Sequence, residues 1–217
     1  MPPAGGFGLG ARQRYVVEGE VLLYTTHMFT GIVTKKGKVV SGVMKNGSLF
    51  LTIQTPKGWK IKEGESIATD GVCLTVKKLA ATTYTYELMH ETLQKTTFGK
   101  TVPKYVNLEQ SLKIGGHLSG HFVSGHIDAI GTIEKITADG TAKVYTVSFP
   151  KTFQKLIVKK GSICIDGVSL TITDIRPGQF SVALLPYTLE KTILGDKIKG
   201  MQVNLEFDIL AKYAQNK

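Results

Sequence analysis

The chain repeats itself at nearly one spacing. ATDGVCLTV at 68–76 returns as CIDGVSLTI at 164–172, so Gly71 matches Gly167 and the separation is 167 − 71 = 96. ETLQKTTFG at 91–99 returns as YTLEKTILG at 187–195, again 96 apart, and VNLE at 106–109 recurs at 203–206, 97 apart. The openings agree as well, since TGIVTKKGKV at 30–39 resembles SGHIDAIGTI at 124–133, 94 apart. A period of this size means two homologous units whose slack lies in loops. We therefore expect an extension over 1–27, one unit over 28–123, a second over 124–208, and a short helix or tail over 209–217. A length of 217 residues suits two such units.

Composition narrows the class of molecule. No apolar run approaches the roughly 18 residues of a membrane span, so no membrane partner is expected. Cys73 and Cys164 are too few for a disulfide framework or a four-thiolate zinc site, and they predict a reducing compartment, the cytoplasm. The net charge is +10, but only Arg12, Arg14 and Arg176 are arginines and the lysines are spread without a block. Lysine lacks the planar fork that reads bases and phosphates, and Trp59 is the one tryptophan to stack on, so no nucleic-acid partner is expected. Residues 1–27 have no charged start leading into an apolar stretch and cleavage site. They are expected to be a disordered or added extension, with Met28 an alternative start.

Within each unit the apolar residues alternate. Leu49, Leu51 and Ile53 stand against Ser48, Thr52 and Gln54, and Tyr145, Val147 and Phe149 repeat the pattern, as half-buried strands require. Short runs of this kind between Gly, Asp and Lys turns predict an all-β fold, each unit a small closed barrel. Helical pieces interrupt them. Phe153, Leu156 and Ile157 share a helical face, and the segments around Leu93 and Leu189 predict a turn or two before Gly99 and Gly195.

The same alternation separates core from chemistry. Val72, Leu74 and Val76 face inward and turn Cys73, Thr75 and Lys77 outward; Val168, Leu170 and Ile172 do the same for Ser169, Thr171 and Thr173. Val106 and Leu108 oppose Asn107, Glu109 and Ser111, as Val203, Leu205 and Phe207 oppose Asn204, Glu206 and Asp208. Outward Thr and Ser are also ordinary strand formers. Yet Thr75 and Thr171, Thr92 and Thr188, Ser66 and Ser162 hold equal places in both units, which points to two related polar pockets on the outer faces. Cys73 answers Ser169 and Ser111 answers Asp208, so only one unit has the carboxylate. Cys164, aligned with Ala68, reads as a small structural residue.

Residues 115–128, GGHLSGHFVSGHID, hold three of the five histidines. His117 and His121 would share a face on a helix, as in a zinc site, but Gly115, Gly116, Gly120 and Gly125 argue against a helix and nothing completes the ligand set. No metal is expected. A histidine beside a polar pocket instead hydrogen-bonds or moves a proton near neutral pH.

MFTGIV at 28–33, DGVCLTV at 70–76, the ETL and YTL segments, GHFVSGHID at 120–128, KGSICIDGVSLT at 160–171 and VNLEFDILAKY at 203–213 together resemble riboflavin synthases of the duplicated lumazine-binding-barrel type. The likeness runs from 28 to about 213. It implies two tandem six-stranded Greek-key barrels with a short C-terminal helix. It implies an enzyme that dismutates two molecules of 6,7-dimethyl-8-ribityllumazine to riboflavin and 5-amino-6-ribitylamino-uracil by four-carbon transfer, with no metal or organic cofactor. It further implies a homotrimer with each site between the N-terminal barrel of one subunit and the C-terminal barrel of a neighbour. The nine residues after Asp208 make a shorter helix than the one that holds the family's trimer together. The sequence carries no signal on association with lumazine synthase.

By position, the resemblance makes Cys73 and His126 the proton-handling or nucleophilic groups on one side, with Ser66, Thr75, Met89 and Thr92 binding ring and ribityl chain. On the other side Ser169 and Asp208 resemble the family's polar dyad, and Lys160, Ser162, Asp166, Thr171, Leu185 and Thr188 contact the second substrate. Phe29 lies over the site. Plainer readings stand beside these: Cys73 as an inert strand thiol, Asp166 as a turn former before Gly167, Asp208 as a solvated strand-end acid. The same fold also serves non-catalytic lumazine- or flavin-binding proteins, which lose polar groups in one barrel.

Overall fold

The computed structural model describes residues 15–17, 20–22 and 28–215, so most of the expected extension lies outside the described residues. Within that extension β1 (Tyr15–Val17) pairs with β2 (Glu20–Leu22). From Lys35 the chain is mainly strand. β3 (Lys35–Lys45), β4 (Ser48–Gln54), β5 (Ser66–Thr69), β6 (Val72–Leu79), β7 (Thr83–Leu88) and β8 (Tyr105–Gln110) close an antiparallel barrel in the order β3-β4-β7-β6-β5-β8. β9 (Ala129–Asp139), β10 (Ala142–Ser148), β11 (Ser162–Ile165), β12 (Val168–Arg176), β13 (Gln179–Leu184) and β14 (Gln202–Phe207) close a second in the matching order. Closure leaves neither sheet an edge. The copies agree even in irregularity, since β6 breaks register between Val76 and Lys78 and β12 between Ile172 and Asp174, 96 residues on.

Alternation fills the barrels as the pattern requires. Leu49, Leu51, Ile53, Val72, Leu74 and Val76 are buried in the first core, and Tyr145, Val147, Phe149, Val168 and Ile172 in the second. Each such side chain contributes about 1.5–3 kcal/mol by leaving water. Helices α1 (His90–Lys95) and α2 (Pro186–Lys191) stand at equal places in the two units, and α3 (Ile209–Gln215) follows the last strand. The helical face read at Phe153 and Leu156 is a 3-10 segment, Lys151–Leu156. Among the described residues no helix is long and apolar enough to cross a membrane.

The outward polar residues of β8 and β14 do not face a pocket, which corrects the reading of that face. Asn107, Glu109, Asn204 and Glu206 are buried, because the two barrels pack across this surface. Asn107 Nδ2 donates to the Asp166 carbonyl at 2.8 Å, and its Oδ1 accepts the Ile193 N–H at 2.8 Å. Asn204 answers with Nδ2 to the Asp70 carbonyl at 2.9 Å and Oδ1 from the Thr97 N–H at 2.8 Å. Two hairpin turns meet on this pseudo-two-fold axis. Asp70–Gly71 and Asp166–Gly167 all have positive φ, as a tight two-residue hairpin turn demands, and a Cβ on Gly71 would lie 2.7 Å from the Gly167 nitrogen.

Candidate active site

Both pockets are assembled by a crossover between the units. The opening of each unit is held by the last strand of its own neighbourhood and delivered to the other barrel. Glu109 Oε1 accepts the N–H and hydroxyl of Thr30, each at 2.7 Å, and Oε2 accepts the Gly31 N–H at 3.0 Å. Gly31 then accepts the Ser169 N–H at 2.7 Å. In the other direction Glu206 binds Ser124 and Gly125 through the same three donors, and Gly125 accepts the Cys73 N–H at 2.8 Å. The sequence-matched units therefore exchange their first residues, and each pocket draws on both halves of the chain.

On the N-terminal side Cys73, Thr92 and His126 line one cavity of about 190 Å³ with Glu91, Lys95 and Ile127. Three of the expected residues thus come together there. Ser66 is buried on the neighbouring strand β5 and acts on the Cys73 thiol. Burial pushes that thiol above its ordinary value, which the Ser66 contact only partly offsets, so Cys73 is a protonated thiol at neutral pH and a poor nucleophile. Thr75, the cross-strand partner of Ser66, is exposed, and Met89 is exposed immediately before α1.

On the C-terminal side Ser169 is half-buried with its Oγ 2.7 Å from His121 Nδ1. His121 is buried, its Nε2 without a partner, and burial lowers its pKa, against the opposing pull of the Asp208 charge. The ring is therefore held neutral and able to accept a proton from the serine. No hydrogen bond joins Ser169 to Asp208 among the described residues; Asp208 Oδ1 instead accepts the Leu210 N–H at 2.9 Å at the start of α3. In this chain Ser169 is thus paired with His121, and Asp208 acts on that ring through its charge. Sequence reasoning missed His121. Its identity as a pocket residue was available only in its place within GHFVSGHID, where a spacing of five from His126 leaves room for the two rings to serve opposite pockets.

Thr171 is exposed, Thr188 is half-buried on α2, and Leu185 is exposed just before that helix, each matching its N-terminal counterpart, whereas Ser162 is half-buried where Ser66 is buried. Lys160 is exposed in a turn with φ of 68°. A neighbouring cavity of about 420 Å³ is lined by Val33, Thr34, Tyr187 and Lys191 among others. Two expected contact residues are placed at the seam between the barrels. Phe29 is fully buried, pairs with Val123, and packs against Ala68 and Cys164. Asp166 is buried at the hairpin turn, with Oδ1 accepting the Asn204 N–H at 2.7 Å and Oδ2 3.0 Å from Lys197 Nζ, so it holds the seam. Cys164, in the same buried cluster as Phe29, is structural as expected. Among the described residues no group of three His, Cys, Asp or Glu is placed to hold a metal ion.

Comparison with known proteins agrees with this architecture. The lumazine binding domain matches twice, over residues 30–111 and 124–208. A riboflavin synthase of Actinobacillus pleuropneumoniae is 39% identical over 191 residues, 87% of this chain and 88% of its own. That of Bacillus subtilis is 37% identical over 188 residues, 86% and 87% of the two chains. Among solved structures, LumP complexed with 6,7-dimethyl-8-(1'-D-ribityl) lumazine superposes with a TM-score of 0.74 at 25% identity, covering 82% of this chain and 98% of that one. Two closed barrels with exchanged openings, two matched domains and relatives similar over most of their length lead to one statement: the chain belongs to the riboflavin synthase family.

Proposed function

We propose that this chain acts as a riboflavin synthase, converting two molecules of 6,7-dimethyl-8-ribityllumazine to riboflavin and 5-amino-6-ribitylamino-uracil without metal or organic cofactor. The observation that carries the reading is the duplicated arrangement of a cavity at Cys73, Thr92 and His126 in one barrel and, on the equivalent strand of the other, Ser169 hydrogen-bonded to His121, in a chain of this family. A dismutation needs two copies of one heterocycle, and a duplicated chain supplies two related receptors. Holding two flat rings with their reacting carbons aligned provides most of the acceleration.

Proton handling falls to the C-terminal pocket. The C7 methyl of the substrate is acidic because its anion is delocalised over the ring, so a neutral imidazole is a sufficient base. Ser169, hydrogen-bonded to His121, relays that proton, its Oγ taking it from the methyl as the serine's own proton passes to Nδ1, which leaves a neutral serine, an imidazolium and the ring-delocalised anion. Cys73, held as a thiol, donates a hydrogen bond or packs against the second ring. Face-to-face rings are then supplied by the N-terminal site of one chain and the C-terminal site of another. A homotrimer, as the resemblance implies, meets that need. Two free cysteines fit a cytoplasmic setting.

The test is turnover by purified protein with lumazine substrate and no added metal, read as riboflavin fluorescence. Stoichiometric binding without conversion would refute the enzyme reading in favour of a binding protein of the LumP kind.

A further inference from the structure

The two halves part company at one buried place on the pseudo-two-fold axis. Asp166 has a built-in counter-charge, Lys197 Nζ, which also donates to the Gln202 carbonyl at 2.8 Å. The repeat places Thr101 where the other half has Lys197, since 197 − 96 = 101. Asp70, the partner of Asp166 in the repeat, is 3% exposed. Its Oδ1 accepts the Asn107 N–H at 2.7 Å, whereas no hydrogen bond or ion pair among the described residues ends on its Oδ2. Burial, then the charge of Asp166, pushes the Asp70 carboxyl well above its ordinary range, against the pull of Lys197. Two buried acids thus share one lysine, which is paired with Asp166 and not with Asp70.

The acid does not end in packed protein. It lines a cleft of about 590 Å³ along the seam, which shares no lining residue with the cavities at Cys73 and Tyr187. Thr101 lines the same cleft, and Pro103, Tyr105, Ile193 and Met201 supply apolar wall. Of the other charged groups there, Lys197 is paired with Asp166 at 3.0 Å, Asp196 with Lys36 at 2.7 Å, and Lys104 stands over the Tyr105 ring, 5.7 Å from its centroid. A cleft of this size with one convergent buried carboxylate and apolar walls has the form of a small-molecule site.

We propose that the cleft binds a small arylalkylammonium ion, its ammonium against Asp70 Oδ2 and Thr101 in the place that Lys197 fills in the sister half, its ring against Ile193 and Met201. The sulfur of Met201 suits an aromatic edge, and a charge-assisted bond to a buried carboxylate gives the ammonium its preference. This site is independent of the catalytic reading.

The experiment is calorimetric titration of the full chain at about pH 8, where the amine is protonated, with phenethylamine and with its neutral counterpart 2-phenylethanol. The amine is expected to bind about tenfold or more tightly than the alcohol. Asp70→Asn, which keeps the acceptor for Asn107, should abolish that preference. Thr101→Lys, which copies the sister half and is therefore compatible with the fold, should abolish amine binding with circular dichroism unchanged. Equal binding of amine and alcohol, amine binding that survives Thr101→Lys in folded protein, or no amine binding at millimolar concentration would each overturn the proposal.

Discussion

His121 sets the chemistry of the C-terminal pocket because its surroundings act on it in opposite senses. Burial disfavours the imidazolium, and the Asp208 carboxylate favours it. Since burial wins, the imidazole stays neutral below the usual histidine range, and turnover should fail only when acid protonates it and ends its ability to accept from Ser169. Asp208→Asn removes the opposing charge, so the acid limb of kcat should move to lower pH; an unmoved limb in a pH–rate profile would count against this coupling. Ser169→Ala should lower kcat by roughly 10²-fold, a typical worth for one proton-transfer group, with KM changed little. Thr173, whose hydroxyl donates to the Ser181 carbonyl at 3.0 Å in the register break of β12, provides the control, and Thr173→Ala should leave steady-state rates within about twofold. Cys73 was legible as an outward thiol from a period of two, but its protonation state was not, because burial by α1 and the crossing loop is a tertiary effect.

At the level of elements, the crossing loops depend on two glycines. Gly31 and Gly125 have φ of 75° and 80°, and a Cβ on either would lie 2.6 Å from the Cβ of Ser169 or Cys73. Gly64 has nearly the same φ, 81°, with nothing within 4 Å, so it separates backbone strain from collision. Gly64→Ala should cost about 1 kcal/mol in urea unfolding, and Gly125→Ala roughly 2–4 kcal/mol, strain and clash together. The latter should also lower ligand affinity at the Cys73 pocket; equal costs for both would show that the loop has room. Strand faces could be read along the chain because alternation is local. The loop exchange could not. Gly31 meets Ser169 across 138 residues (169 − 31), and no periodicity reports a contact of that range. The matched motifs TGIV and SGHI signalled two equivalent places without saying that each belongs to the other barrel.

The whole molecule is held at a seam rich in buried acid, and this determines how its stability responds to pH. Asp70 has its carboxyl raised well above its ordinary value near 3.8, so the folded chain takes up this proton at a higher pH than the unfolded chain does. In that window the native state binds more protons, and stability rises as pH falls. As pH falls toward the ordinary carboxylate range the wild type should therefore gain a few degrees in Tm relative to Asp70→Asn, which has no proton to take up; parallel Tm curves would contradict it. Oligomer geometry makes the last demand. If each site joins the N-terminal pocket of one chain to the C-terminal pocket of another, coexpressed Cys73→Phe and Ser169→Ala chains should complement, though each alone keeps no more than about a hundredth of wild-type turnover. Phenylalanine fills a cavity of about 190 Å³, and serine loss empties the other pocket of its hydroxyl. Random mixing leaves an intact N-terminal pocket in half of all pairings and an intact C-terminal pocket in half of those, so about a quarter of wild-type turnover should return. A site contained within one chain would return none, because every chain in the mixture carries one damaged pocket.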